Sequence, residues 1–204
     1  MQIDIMLFQI IVLVFSAIIH EYMHGWMADR LGDPTAKDAG RLTLNPLPHI
    51  DLYGSIIIPL LLIFSGSSLV FGWAKPVPFN PYNLRDQKYG SAKVAIAGPL
   101  GNLITALFFG LILRFAPLGN MTFVAGLLQI IVFINLLLMV FNLVPIPPLD
   151  GSKVLMAFLP YEWQIRFASI ERFGMLIVVI FLIFGFTFIY PVIFFLFKLI
   201  TGIA

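Results

Sequence analysis

The chain has 204 residues, of which 60% are apolar and only 11% charged, with 21 Phe, no Cys and a net charge of +2. That composition excludes a soluble globular domain, a disulfide framework and a thiolate metal site, and the few basic groups do not make a nucleic-acid-binding face. The length suits about four or five spanning helices with short connections, so the expected class is an all-α polytopic membrane protein built as a single domain over residues 1–204.

Ile5 to Arg30 is apolar apart from Gln9, Ser16 and the run His20-Glu21-Tyr22-Met23-His24. At 1.5 Å per residue it extends roughly 39 Å, enough for a first spanning helix with its exit at Arg30. Its start has neither a basic region nor a small-residue cleavage site, so it reads as a retained span rather than a removable signal. Histidines four residues apart share one helix face, where two imidazoles can bind one Zn²⁺, and Glu21 between them is placed to take a proton from a water on that ion. Two imidazoles and a carboxylate in hydrocarbon are costly without a partner, and a metal supplies one. His24 lies about 9 Å below the surface marked by Arg30, so the site is near one membrane face.

Residues 31–52 are broken by Gly32, Pro34, Gly40, Pro46 and Pro48, and the alternation Arg41-Leu42-Thr43-Leu44-Asn45 predicts a short strand whose open edge could take an extended peptide; an ordinary lipid-grazing loop is the other reading. Leu52 to Phe71 is apolar but interrupted by Gly54, Pro59 and Gly66, which fits a short span or a re-entrant hairpin. Spanning helices are expected over Ala92–Phe115, Thr122–Leu143 and Gly174–Leu199, with a polar connector at 72–90. If 52–71 returns to the side it left, only Arg114 and Lys198 of the twelve basic residues fall on the opposite side; a full crossing leaves no bias. The positive-inside rule therefore favours a re-entrant hairpin over 52–71. Residues 161–172 form an amphipathic piece suited to the membrane interface, and Trp26, Trp73 and Trp163 suit interfacial belts.

A catalytic zinc keeps three protein ligands and an open position, so His20 and His24 need a partner; without Cys it is His49, Asp or Glu. Asp150 is the best placed. It ends Asn142-Leu143-Val144-Pro145-Ile146-Pro147-Pro148-Leu149-Asp150-Gly151, where three prolines force unwound backbone that membrane depth tolerates only beside protein or water. The competing role for Asp150 is N-cap of the following helix. His49 has no metal-type spacing and reads as structural or surface.

With these residues in place the chain resembles the site-2 proteases, intramembrane zinc metalloproteases of peptidase family M50, over almost its whole length. His20 to His24 matches H-E-x-x-H, Gly98-Pro99-Leu100-Gly101-Asn102 matches Gly-x-x-x-Asn, and Asn142 to Gly151 matches Asn-x-x-Pro-x-Pro…Asp-Gly. The resemblance implies His20, His24 and Asp150 as ligands of one Zn²⁺ per chain, Glu21 as general base and acid, and Asn102 and Asn142 as polar groups near the substrate. It also implies that the helix bearing Gly98 starts on the cytosolic side. Asn102 has a second reading, as interhelical glue beside a glycine-rich stretch. Family members often carry a PDZ or cystathionine-synthase-type domain, and this chain looks like a minimal form without one.

The expected function is zinc-dependent hydrolysis of peptide bonds in or near transmembrane segments of membrane proteins. The expected setting is the plasma (inner) membrane of a prokaryote, with the active site nearer the cytosolic face. The alternative is an inactive zinc-binding scaffold or a metal transporter. A transporter would spread ligands along a path, and a scaffold would not need Glu21.

Overall fold

The computed structural model describes residues 2–65, 73–117 and 121–203, and among them every regular element is helical. Among the described residues four stretches are long and apolar enough to cross a membrane: Asp4–Arg30, Gly90–Phe115, Thr122–Asn142 and Gly174–Thr201. The first lies in α1 (Gln2–Arg30), followed by the single turn α2 (Thr35–Asp38) and, after a π-helical turn at Leu52–Ile57, the short α3 (Ile58–Phe64). Next come α4 (Gly90–Phe115), α5 (Thr122–Asn142), α6 (Asp150–Met156) and α7 (Tyr161–Glu171). The last span joins α8 (Gly174–Ile180) through a π-helical turn at Phe181–Gly185 to α9 (Phe186–Thr201).

Their side chains explain the membrane. Met6, Leu7, Ile10, Ile11 and Phe15 on α1, and Phe184, Phe188 and Phe195 on the last span, point outward and exposed. In water such continuous apolar surface would drive aggregation; in hydrocarbon it costs nothing. The chain is an integral membrane protein. Helix α4 is the axis of the bundle, packed against α1, α5, α6 and α9. Ala106 on α4, Val132 and Leu136 on α5, and Ile193 on α9 are fully buried at its centre. Gly110 lets α9 approach closely, since a Cβ there would lie 2.3 Å from Ile200 Cγ2.

Two findings concern the loops. The strand expected at 41–45 is absent: residues 42–44 are bends. Side chains there compete with sheet pairing for the backbone. Thr43 Oγ1 accepts from Asn45 N–H at 3.1 Å, Asn45 Oδ1 accepts from Leu47 N–H at 3.1 Å, and His49 Nε2–H donates to the Thr43 carbonyl at 2.8 Å. Of the apolar stretch 52–71, residues 66–71 lie outside the described part. Its two ends meet, because Trp73 N–H donates to the Gly54 carbonyl at 3.1 Å and Ser55 Oγ–H donates to the Trp73 carbonyl at 2.8 Å. The amphipathic segment is a helix, α7, with no buried residue.

Asp33 ties the loop after α1 to the connector before α4. It is fully buried, and its carboxylate accepts from Asn80 N–H at 2.6 Å, Asn83 Nδ2–H at 2.9 Å, Thr35 N–H and the Thr35 hydroxyl. Burial alone would raise its pKa, but the hydrogen bonds from Thr35, Asn83 and Asn80 outweigh burial and hold the carboxyl below its ordinary value. A group depressed in the folded state stabilises above its unfolded pKa and loses that contribution as pH falls through the folded value. Asp33→Asn is therefore expected to lower the unfolding temperature at pH 7 and to flatten its fall on acidification below about pH 4. Parallel acid limbs for the two proteins would contradict this.

Candidate metal centre

His20, Glu21 and His24 lie in the second half of α1, with ligand atoms all within 4.8 Å of one another. The helical repeat brings the two imidazoles together at a centroid distance of 4.6 Å, edge to face. Asp150 reaches them from α6. Leu143 to Leu149 are turns and bends around Pro145, Pro147 and Pro148, and α6 starts at Asp150 itself. The chain can turn this sharply because Gly151 packs on the end of α5, where a Cβ would lie 2.2 Å from the Leu143 carbonyl oxygen. The Asp150 carboxylate does not cap α6; its Oδ2 lies 3.0 Å from His20 Nε2 and 3.2 Å from His24 Nε2.

The outer nitrogens of both rings are bound. His24 Nδ1–H donates to the Val94 carbonyl at 2.8 Å, and His20 Nδ1–H to Asn102 Oδ1 at 2.7 Å. With Nδ1 donating, each Nε2 is the ring atom left to face the Asp150 carboxylate oxygen, and in the metal-binding form of the ring it offers a lone pair there. Two imidazole nitrogens and a carboxylate oxygen this close need a positive centre between them, which a shared proton or a metal ion supplies. The chemistry of this donor set fits zinc: two imidazole nitrogens and one carboxylate oxygen, with His Nδ1 protons held by acceptors as metal-bound histidines require. The spacing fits as well, because a tetrahedron with bonds of 2.0–2.1 Å has edges of about 3.3 Å. Gly98 floors the site, since a Cβ there would lie 2.5 Å from His24 Nε2 and 2.7 Å from His20 Nε2.

Around these residues is a cleft of about 160 Å³, lined among others by Glu21, Val77, Asn142, Asp150 and Lys153. Residues 73–80 form neither helix nor strand, and Pro76, Val77 and Phe79 among them line the cleft. Val77 N–H donates to Glu21 Oε2 at 2.8 Å, so one carboxylate oxygen is anchored. Arg41 secures this segment by donating to the Lys75 carbonyl at 2.8 Å, and Lys75 N–H donates to the His49 carbonyl at 2.9 Å. His49 is buried in that role, away from the metal-ligating group.

All six sequence-selected residues thus surround one place, but not equally. Asn102 touches His20 rather than the cleft, and Asn142 lines the cleft while its Nδ2 donates back to the Leu138 carbonyl at 2.9 Å. Sequence reasoning missed three groups. Asn135 holds Asn102, Val77 presents its backbone to Glu21, and Lys153 lines the cleft with Nζ 3.9 Å from Asp150 Oδ1. Of these only Asn135 had a signal, as one of three carboxamides, with Gln129 and Asn142, in a mostly apolar helix.

A sequence profile of peptidase family M50 matches residues 116–185, from the end of α4 through Asp150 to the π-helical turn of the last span. The chain is 38% identical over 181 residues to "Putative zinc metalloprotease YwhC" of Bacillus subtilis, covering 85% of this chain and 79% of that protein. It is 34% identical to "Putative zinc metalloprotease Rip2" of Mycolicibacterium smegmatis, covering 83% of this chain and 64% of the relative. A zinc metalloprotease of Methanocaldococcus jannaschii, likewise named as putative, is 33% identical and is covered over 77% of its length. No solved structure matches the chain. Four apolar helices, a histidine pair facing a carboxylate from the far end of the fold, and relatives aligned over most of their length lead to one assignment: the chain belongs to peptidase family M50, the site-2 proteases.

Proposed function

We propose that the chain is an intramembrane zinc endopeptidase that hydrolyses peptide bonds in or near transmembrane segments of other membrane proteins. The observation that carries this reading is the convergence of His20 Nε2, His24 Nε2 and Asp150 Oδ2, with Glu21 beside them. His20, His24 and Asp150 are the ligands of one Zn²⁺. Bound there, zinc supplies Lewis acidity toward the scissile carbonyl and makes the attacking water more acidic.

The protein's own groups do the rest. Glu21 takes the water proton and returns it to the leaving amine, which needs one free carboxylate oxygen; the Val77 N–H bond to Oε2 leaves Oε1 for that traffic. Asn142, on the cleft wall, is the polar group facing the substrate backbone. The segment 73–80, which lines the cleft through Pro76, Val77 and Phe79, keeps lipid and bulk water from the reacting groups. A helical substrate keeps its amides paired, so it must unwind before its carbonyl reaches Glu21.

The membrane placement follows the same reading. The Gly54–Trp73 pairing supports a re-entrant course for 52–71, and that course puts most basic residues on one side, the cytosolic one. The site then opens toward the cytosol. The relatives, from bacteria and an archaeon, support a prokaryotic plasma membrane. The direct test is zinc content and chelator sensitivity of protein purified in detergent. About one zinc per chain, with cleavage of a transmembrane reporter lost on chelation and restored by zinc, is the expected result. Protein that takes up no added zinc would reject the reading.

A further inference from the structure

The bundle interior holds a polar pair whose second member has no part in the chemistry above. Asn102 on α4 and Asn135 on α5 are both fully buried, each within a stretch long enough to span a membrane. A buried carboxamide is costly unless its donors and acceptors are met, and here they are met in a single chain. Asn135 Nδ2–H donates to the Ile131 carbonyl at 2.9 Å. Asn102 Nδ2–H donates to Asn135 Oδ1 at 3.0 Å and to the Ser16 carbonyl at 3.0 Å. Asn102 Oδ1 then accepts from His20 Nδ1–H at 2.7 Å.

The direction of this chain is not arbitrary. Backbone carbonyls only accept, so Ile131 and Ser16 each require an NH₂ facing them. That orients both carboxamides and leaves oxygen, not nitrogen, against His20. An oxygen there demands the proton on Nδ1 and leaves the lone pair on Nε2, toward His24 and Asp150. Turning Asn135 over would set its NH₂ against that of Asn102 and its oxygen against the Ile131 carbonyl, so Asn135 resists the flip that would unseat Asn102.

We propose that Asn135 is a positioning residue for zinc, holding His20 through Asn102 in the Nδ1–H tautomer with Nε2 directed at the metal. The proposal rests on the reading of His20 as a zinc ligand. It also links the two halves of the site: α5, which carries Asn135 against α4, ends in the turn that delivers Asp150. Seating α5 therefore sets a ligand on α1 and a ligand on α6 together.

The test compares the full-length protein with Asn135→Leu, Asn135→Ser, Asn102→Ala and Asn102→Ala/Asn135→Ser in detergent. Zinc affinity is read by chelator competition, and thermal unfolding of the zinc-free protein is recorded in parallel. Loss of an outer-shell partner typically weakens metal binding 10–100-fold, and a shift near the lower end, roughly tenfold, is expected for each Asn135 variant. In the Asn102→Ala background Asn135→Ser should add nothing, because the route to His20 is already cut. A pair serving only helix packing would lower the unfolding temperature and leave the zinc affinity unchanged, and that result would overturn the proposal. So would losses that multiply in the double variant. If the Leu variant fails to fold, the smaller Ser variant, still polar, carries the comparison. Wild-type zinc binding separates the two levels. A wild-type protein with one zinc and an Asn135→Ser variant of equal affinity would reject this inference alone, whereas a wild-type protein without zinc would reject the ligand assignment and this inference with it.

Discussion

Glu21→Gln is expected to retain one zinc per chain and to lose peptide-bond cleavage by roughly 10²–10⁴-fold, the usual worth of a positioned general base. Gln keeps the side-chain length and an acceptor oxygen for Val77 N–H, so the segment over the cleft stays in place. What it cannot do is bind a proton at its remaining atom. The donor set of His20, His24 and Asp150 is untouched, which is why zinc content and cleavage should separate. The measurement is turnover of a transmembrane reporter alongside metal analysis on the same preparation. Equal turnover would remove Glu21 from the mechanism. Absence of turnover from the wild type as well, with zinc bound, would instead favour a zinc-holding scaffold.

The parts of this site that sequence reveals are those whose geometry is local. The four-residue spacing of His20 and His24 dictates a shared helix face, and the structure delivers it as a 4.6 Å ring contact. Asp150 was legible for a different reason: Pro145, Pro147 and Pro148, too close together for a regular helix, announce a turn at membrane depth, and a carboxylate there needs a partner. Between the capping and ligating roles that the sequence leaves open for it, the carboxylate points to the histidines. The spanning helices were legible too, because length and unbroken apolarity specify them almost without tertiary context.

What escaped depends on contacts that no spacing encodes. Val77 acts through its backbone, so its residue type carries no trace of the bond to Glu21. Asn135 meets Asn102 from another helix, 33 positions away, and only the packing of α4 on α5 shows it. The strand expected at 41–45 fails for the opposite reason. Its alternation is genuine, but Thr43, Asn45 and His49 satisfy the local backbone before any sheet partner can, and Arg41 is drawn off to hold Lys75. The same loop thus fastens the segment that covers Glu21 rather than offering an edge to substrate.

Gly98→Ala should be as damaging as loss of a ligand, although it removes none. The new Cβ would lie 2.5 Å from both Cε1 and Nε2 of His24 and 2.7 Å from His20 Nε2, well inside van der Waals contact. Neither ring can yield cheaply, because His24 Nδ1 is bound to the Val94 carbonyl and His20 Nδ1 to Asn102. Either those bonds break or the Nε2 atoms turn away from Asp150, and both routes scatter the donor set. Zinc affinity is expected to fall by about 100-fold or more, at or beyond the top of the range for a lost supporting group, with cleavage lost in parallel. Gly126→Ala supplies the contrast, since a Cβ there meets nothing within 4 Å. That change should be silent in zinc binding and should stabilise α5 slightly, because alanine is the better helix former by about 1 kcal/mol. Both variants are read by chelator competition and thermal unfolding. A Gly98→Ala protein that binds zinc like wild type would mean that the imidazoles do not hold the metal where their Nε2 atoms now converge.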